Sequence, residues 1–249
     1  MGIFDRFFSK EAREEGFVKK HVKRILSKYS QKELREESMY ALAERGKKGS
    51  AEAIYGLLQR FTYNHPEAIV DENEKHKVLV LLNHLGAEAC SEPLRRYLRD
   101  QKQAEVAMAL IALEQLEGDD ATRKEIIVLL EEGDPGDAWS AERKLQIINH
   151  LDNFNESDVV DALIPYLTDL NDDVIFRTID LLEKVGEDEQ IREAIFDVAK
   201  DPDTSTRIIA RILDLVREKK WYIGDHREAI EANMPEGYFF DKRNNIKKR

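Results

Sequence analysis

The 249-residue chain holds one cysteine, Cys90, and lacks the segments that mark secreted or membrane-spanning proteins. A single cysteine excludes an internal disulfide framework and fits a reducing compartment. No apolar run approaches the roughly 20 residues that are needed to cross a bilayer. The opening stretch, MGIFDRFFSKEAREE, has acidic residues where a secretory signal requires an apolar core. The sequence therefore predicts a cytoplasmic protein.

Motifs of common catalytic, cofactor and metal sites are also missing. The chain has no His-Glu-x-x-His, Cys-x-x-Cys or Gly-x-Ser-x-Gly, and GKKGS at residues 46–50 lacks the spacing of a phosphate-binding loop. His84 and His150 each follow an asparagine near a predicted helix end, where an imidazole interacts favourably with the helix dipole. They lie two repeats apart, too far to share one metal ion. We expect a non-enzymatic protein without a cofactor or metal.

The net charge of −11 is unevenly distributed. The first 50 residues carry 13 basic and 8 acidic side chains, residues 51–216 carry 17 and 36, and residues 217–249 carry 9 and 6. An acidic middle repels polyanions, whereas the basic ends attract them. The charge pattern therefore disfavours nucleic acid as a partner of this protein.

A short motif recurs along the chain: two apolar residues, two polar residues, an aliphatic residue, then glycine or a charged residue. The copies start at Leu81, Ala112, Ile147, Leu181 and Ile212. The steps between them are 31 to 35 residues, which is the length of two helices with their turns. A weaker copy starts at Ala41, and we expect an irregular stretch at residues 62–73 to account for the longer step that follows it.

Each repeat unit contains two stripes of helical periodicity. Apolar residues from Val160 to Leu167 form one stripe, and those from Val174 to Val185 form the next. We expect the acidic residues of the turns at 171–173 and 201–203 to cap the following helices, and Gly186 to end a helix in the left-handed conformation. Alternating strand patterns are absent, so the sequence predicts an all-α fold.

These units resemble HEAT repeats. The resemblance depends on Val174, Leu182 and Val185-Gly186 in the second helix, on Asp172 and Asp173 in the turn, on the trio Asp203, Arg207 and Ala210, and on Pro93 and Pro165 in first helices. Lys144 departs from the pattern, because a small apolar residue is usual there. The resemblance implies a right-handed, armadillo-like α-solenoid of about six helix pairs over residues 17–220, serving as a platform for other proteins.

An amphipathic segment, residues 1–16, precedes the predicted repeats. Its apolar face consists of Ile3, Phe4, Phe7 and Phe8, and the basic residues Lys19, Lys20, Lys23 and Arg24 follow. One interpretation is that the aromatic face caps the first repeat. The alternative is docking to an anionic membrane or a partner.

The last segment, residues 221–249, combines an aromatic cluster with a basic run. We expect Tyr238, Phe239 and Phe240 to fold back over the last helix pair, and the basic run from Lys242 to Arg249 to be mobile. The three aromatic residues are also candidates for docking to a partner or a membrane. The basic run is suited to RNA, lipid or an acidic protein, or to the acidic repeats of its own chain.

Taken together, these patterns favour a non-catalytic scaffold that binds a protein partner. By analogy with HEAT proteins, the second helices would line the concave face, whose acidic residues favour a basic or mixed-charge partner. The alternative is a peripheral membrane-associated or nucleic-acid-associated protein that acts through its basic ends. A HEAT-like DNA glycosylase is disfavoured, because the acidic repeats offer no basic cradle. The residues specify no oligomeric state.

Overall fold

A computed structural model describes residues 10–100, 102–137, 140–154 and 157–249. Helices dominate these residues, which confirms the predicted all-α class. The described chain forms two compact units, the first ending at Glu125 and the second beginning at Ile126. None of the helices in the described ranges combines the length and the apolar character that a membrane span requires.

The first unit places its helices in two layers. Helices α1, α3 and α5 contact one another in order, and α2, α4 and α6 form the second layer. A 3₁₀ turn, Gln59–Thr62, extends α3. The bounds are α1 Lys10–Ile25, α2 Lys32–Lys47, α3 Ala51–Leu58, α4 Ala68–Leu85, α5 Ala87–Arg99 and α6 Ala107–Glu117, followed by α7 Asp119–Glu131, within which the boundary between the units falls.

The second unit follows a similar plan and ends in a hairpin. Helices α8, α10 and α12 form one layer, and the 3₁₀ turn Ile164–Thr168, α11 and α13 form the other. The antiparallel hairpin packs its second strand on α12. The bounds are α8 Ala141–His150, α9 Val160–Leu163, α10 Asp172–Val185, α11 Asp188–Lys200, α12 Thr206–Lys219, α13 Arg227–Ala232, β1 Tyr238–Phe240 and β2 Ile246–Lys248, with further 3₁₀ turns at Leu151–Asn153, Ser157–Val159 and Gly224–His226.

The recurring motif supplies the cores of both units. The second apolar residue of every copy has no solvent exposure; these residues are Leu42, Leu82, Leu113, Ile148, Leu182 and Leu213. Burial of one such side chain contributes about 1.5–3 kcal/mol. The periodicity therefore identifies the inward-facing position correctly in all six copies.

The helix caps differ from the prediction. Asn171 Oδ1 accepts hydrogen bonds from the backbone N–H groups of Asp173 (2.9 Å) and Val174 (3.3 Å), so asparagine rather than aspartate caps α10. Ser205 caps α12, and its side chain accepts from the N–H of Ile208. The aspartates at residues 201–203 precede this cap, and the acidic-cap prediction is wrong because the helices begin one residue after Asn171 and Ser205.

The predicted role of Gly186 is also wrong. Its φ and ψ of −88° and 148° are extended, not left-handed. A Cβ atom on this residue would lie 2.5 Å from Cγ2 of Ile191 and 2.8 Å from the carbonyl oxygen of Leu182. Glycine is thus required for close approach of the next helix. By contrast, Gly86 does adopt a positive φ of 83° directly after α4.

Three further expectations need correction. The stretch predicted to be irregular at residues 62–73 is helical from Ala68 onward. Pro93 lies inside α5 as predicted, but Pro165 lies at the start of a 3₁₀ turn rather than inside an α-helix. The basic run, expected to be mobile, contributes strand β2, and this strand pairs with the aromatic β1. Strands of three residues are too short to show a detectable alternation.

Candidate protein-binding face

The second-layer helices of the first unit carry a row of outward-facing apolar side chains. Tyr40, Val80 and Ile111, which we call the exposed row, each lie two residues before the buried apolar residue of the motif. Two residues correspond to a rotation of about 200° around a helix, so this position points away from the core. Tyr40 is 51% exposed and Val80 is 53% exposed, while Ile111 is half-buried.

Lateral contacts between neighbouring helices flank the exposed row. Lys77 Nζ lies 2.7 Å from Glu36 Oε1 and 5.8 Å from the centroid of the Tyr40 ring, which joins α4 to α2. Asn83 Nδ2 donates to Gln115 Oε1 at 2.6 Å, which joins α4 to α6. Because these contacts lie about one turn on either side of Val80, they hold the exposed row in register.

Acidic side chains border the exposed row. Glu33, Glu37 and Glu44 on α2 and Glu72 on α4 are exposed. None of the four forms an ion pair with any residue in the described ranges. The face therefore combines a line of apolar groups with uncompensated negative charge.

The second unit uses the same motif position differently. The residues equivalent to the exposed row are Gln146, Asp180 and Arg211, all polar. Arg211 donates to Asp180 Oδ1 at 2.8 Å and also to Glu183. Its guanidinium lies 5.9 Å from the ring of Phe176. Here the outward-facing side chains are polar and bind other residues of the same unit, so this position presents no row of exposed apolar groups.

The predicted basic residues of the N-terminal region form one stripe on α1. Lys19, Lys20 and Lys23 are exposed and Arg24 is half-buried. No carboxylate pairs with them among the residues that the structure describes. Burial and the charges of Lys20 and Arg24 lower the pKa of His21 on the same helix. The predicted apolar residues Ile3, Phe4, Phe7 and Phe8 lie outside the described residues.

The predicted aromatic residues of the C-terminal region lie on β1. Tyr238 and Phe240 are half-buried, and Phe239 is 39% exposed. The Tyr238 hydroxyl donates to the carbonyl oxygen of Ala210 on α12 at 3.3 Å. The aromatic segment thus folds back onto the last helix pair, as predicted, and lies in the second unit, whereas the basic stripe of α1 lies in the first.

A groove of about 1160 Å³ lies beside α5 in the first unit. Three arginines line it, and each already has a carboxylate partner. Arg95 and Arg99 bind Glu125 at 3.1 and 2.9 Å, and Arg96 binds Glu52 at 2.7 Å. These ion pairs connect neighbouring helices. All three guanidinium groups of the groove are therefore already paired with carboxylates of the protein.

The single thiol is a core group. Cys90 has no solvent exposure, and burial raises its pKa to about 11. It is therefore a protonated thiol at neutral pH. The two motif histidines lie in the last turns of α4 and α8, where the sequence places them; His84 is exposed and His150 is buried.

Sequence reasoning missed the exposed row, although the signal was present. The residue two positions before the buried apolar residue is apolar in the first three motif copies and polar in the last three. Comparison of the chain with protein-family models, curated proteins and solved structures returns no match.

Proposed function

We propose that the protein is a cytoplasmic, non-catalytic adaptor built from about six HEAT-like helix pairs in a right-handed solenoid, and that it binds a protein partner through the exposed row. The two-layer arrangement within each unit and the burial of one residue in each motif copy support the repeat interpretation. Stacked helix pairs present extended surfaces that can bind partner proteins without catalysing a reaction.

The observation that carries the proposal is the exposure of Tyr40 and Val80 in register on adjacent helices. Tyr40 and Val80 are each about half exposed, so a partner that covers them gains about half of the roughly 1.5–3 kcal/mol that full burial of an apolar side chain contributes. Tyrosine is also enriched at the centres of interfaces, because it buries a large area with little loss of rotamer freedom.

The bordering acids define the chemistry of the partner. An amphipathic helix with an apolar stripe would lie along the exposed row, and its flanking lysines or arginines would pair with Glu33, Glu37, Glu44 and Glu72. A partner of this kind buries apolar surface at the centre and keeps its charges at the rim. Its binding should therefore weaken only moderately as salt rises.

Affinity purification from source-cell lysate with quantitative mass spectrometry tests the proposal. We expect one protein to be recovered at both low and high salt by the wild type, and to be lost with the double variant Tyr40→Ala/Val80→Asp. The matched control is Leu170→Asp, which alters an apolar residue of the second unit that is 68% exposed. Equal recovery by wild type and double variant, or equal loss with the control, contradicts the assignment of this face.

The stripe on α1 favours a second candidate function, attachment to an anionic membrane surface. Four cations on one helix face, without carboxylate partners among the described residues, would contribute about 1 kcal/mol each near an anionic bilayer. Vesicle flotation should then recover the wild type on phosphatidylserine vesicles but not the variant Lys19→Glu/Lys23→Glu. The control Lys77→Glu removes a cation that already pairs with Glu36. Flotation that is indifferent to Lys19 and Lys23 rejects this candidate.

A further inference from the structure

The hairpin of the second unit has two chemically different faces. Opposed residues of an antiparallel pair point to the same side, and successive residues alternate. Tyr238 pairs with Lys248, and Phe240 pairs with Ile246, so these four share one face. Phe239, Lys247 and Arg249 belong to the other face.

The first face is attached to the helices. Ile246 is only 3% exposed, and Lys248 Nζ binds Asp214 Oδ2 on α12 at 2.9 Å. Phe240 lies under the guanidinium of Arg227 on α13 at 4.9 Å. These contacts fix the hairpin, so the opposite face is held in a defined position.

The second face is directed to solvent and is cationic. Phe239 is 39% exposed, and the Arg249 guanidinium lies 5.4 Å from its ring centroid. Lys247 is opposite Phe239 in the strand register, and the loop at the tip adds the exposed residues Lys242 and Arg243. Lys247 Nζ lies 4.0 Å from Asp241 Oδ2, which is the outer limit of an ion pair, whereas within the described ranges Lys242, Arg243 and Arg249 have no carboxylate partner.

We propose that this outer hairpin face binds single-stranded nucleic acid. A base would stack on the Phe239 ring beside the Arg249 guanidinium, and the adjacent phosphates would contact Lys247, Lys242 and Arg243. Stacking on one ring favours no particular base, so the site should be tolerant of sequence. The site is independent of the exposed row, which lies on the first unit.

The geometry favours a single strand over other polyanions. A membrane anchor requires several apolar side chains that protrude together, whereas Phe239 is the only large apolar residue on this face, and Arg249 lies against it. A duplex keeps its bases stacked internally and offers phosphates alone. Because residues 126–216 of the same unit carry 22 acidic and 8 basic side chains, contact beyond the hairpin is repelled, and the site should span only a few nucleotides.

Fluorescence anisotropy with a short fluorescein-labelled oligouridine tests the proposal on the full chain. We expect binding at low salt that weakens steeply as salt rises. The substitution Phe239→Ala should weaken binding at least about fivefold, since stacking on an aromatic side chain is worth that much or more. Phe239→Leu keeps the apolar volume without the aromatic ring and should weaken binding to a similar degree. The double variant Lys242→Gln/Arg243→Gln should reduce the salt slope by about 1.4.

Matched controls separate the site from general charge effects. Tyr222→Ala removes a more exposed aromatic residue of the same unit, and Lys219→Gln removes a lysine that already pairs with Asp188; both should bind like the wild type. Thermal melting confirms that each variant folds. The proposal is overturned if the oligonucleotide does not bind at low salt, if Phe239→Ala binds like the wild type, or if a duplex or phosphatidylserine vesicles bind more tightly.

Discussion

At the scale of single residues, the second unit buries a lysine, Lys144, among its helices. Lys144 is 4% exposed, and its Nζ lies 2.6 Å from Asp169 Oδ2. The same ammonium donates to the carbonyl oxygens of Pro135 at 3.2 Å and Asp137 at 2.8 Å. Three acceptors satisfy its three donors, so the buried charge is fully compensated and joins α8 to two loops.

Removing one partner of this pair should be strongly destabilising. We expect Asp169→Ala to lower the free energy of unfolding by about 3–5 kcal/mol, because it leaves the lysine charge buried without a counter-charge. The double variant Lys144→Met/Asp169→Ala should recover part of the loss. Urea unfolding followed by circular dichroism measures both.

An exposed pair provides the comparison for this effect. Arg207 and Asp173 are 2.6 Å apart, and both are more than half exposed. Asp173→Ala should change stability by less than about 1 kcal/mol, since solvent screens the pair. If Asp169→Ala costs no more than Asp173→Ala, the interpretation of Lys144 as a compensated buried charge is wrong.

His21 should make stability depend on pH. Burial, together with Lys20 and Arg24, lowers its pKa in the folded state, so the unfolded chain binds the proton more readily. Its contribution to stability is therefore present above about pH 6.5, the ordinary histidine pKa, and is lost as the pH falls through the lowered value.

The variant His21→Leu tests this dependence. Leucine retains apolar contact with Phe17, whose ring lies 4.5 Å from the imidazole, and does not titrate. We expect thermal melting temperatures of this variant to fall less than those of the wild type between pH 7 and pH 5. The exposed His84→Gln is the matched control, and identical pH profiles for wild type and His21→Leu would refute the prediction.

Charged residues in cores mark the limit of what periodicity predicts. Arg35, Arg60 and Glu74 are all buried, and Glu74 accepts hydrogen bonds from both arginines at 2.9 Å. A pattern of apolar and polar residues assigns all three to the surface, because it contains no information about which distant charges meet. For the same reason, the sequence pattern does not predict that Lys144 pairs with Asp169.

At the scale of elements, the helices were predictable because each has an apolar stripe that recurs with the motif. The ends of the helices were harder to predict, because a cap depends on the backbone conformation of one residue and not on the periodicity of apolar residues. Asn171 and Ser205 are favourable capping residues, but the neighbouring aspartates are equally favourable, so the prediction assigned the caps to the aspartates. Short 3₁₀ turns such as Ile164–Thr168 likewise carry an apolar stripe that resembles an α-helix.

The cap of α10 gives a prediction at this scale. Asn171→Ala should lower stability by about 1 kcal/mol, because two backbone N–H groups lose their acceptor. Asn171→Asp keeps an acceptor and should be close to neutral. Thermal denaturation of both variants measures the difference, and equal losses would show that the side-chain acceptor is not responsible.

At the scale of the whole molecule, the recurring motif indicates which position faces outward, but it does not indicate which of the outward side chains are left uncovered. Alignment of the motif copies identifies an outward position, but exposure of Tyr40 depends on which side chains reach across from α4. The sequence predicts a surface for binding other proteins. The packing within the first unit shows that Tyr40 and Val80 remain exposed on it.

The hairpin should stabilise the second unit as a whole. Ile246→Asp places a charge at a buried position against α12, and we expect a clear fall in the melting temperature together with increased proteolysis after Ala232. The control Lys247→Gln alters an exposed residue of the same strand, loses only a solvent-screened contact with Asp241 at 4.0 Å, and should melt like the wild type. A hairpin that contributes nothing would leave both variants unchanged.

The hairpin also determines where this chain can change in length during evolution. Strand β2 and the preceding Tyr238 bind α12 through Asp214 and the carbonyl oxygen of Ala210. Duplication or loss of a helix pair before α12 preserves these contacts. A helix inserted between α12 and the hairpin would separate Asp214 and Ala210 from their partners, so relatives of this protein should vary in length upstream of residue 206 more readily than between α12 and the hairpin.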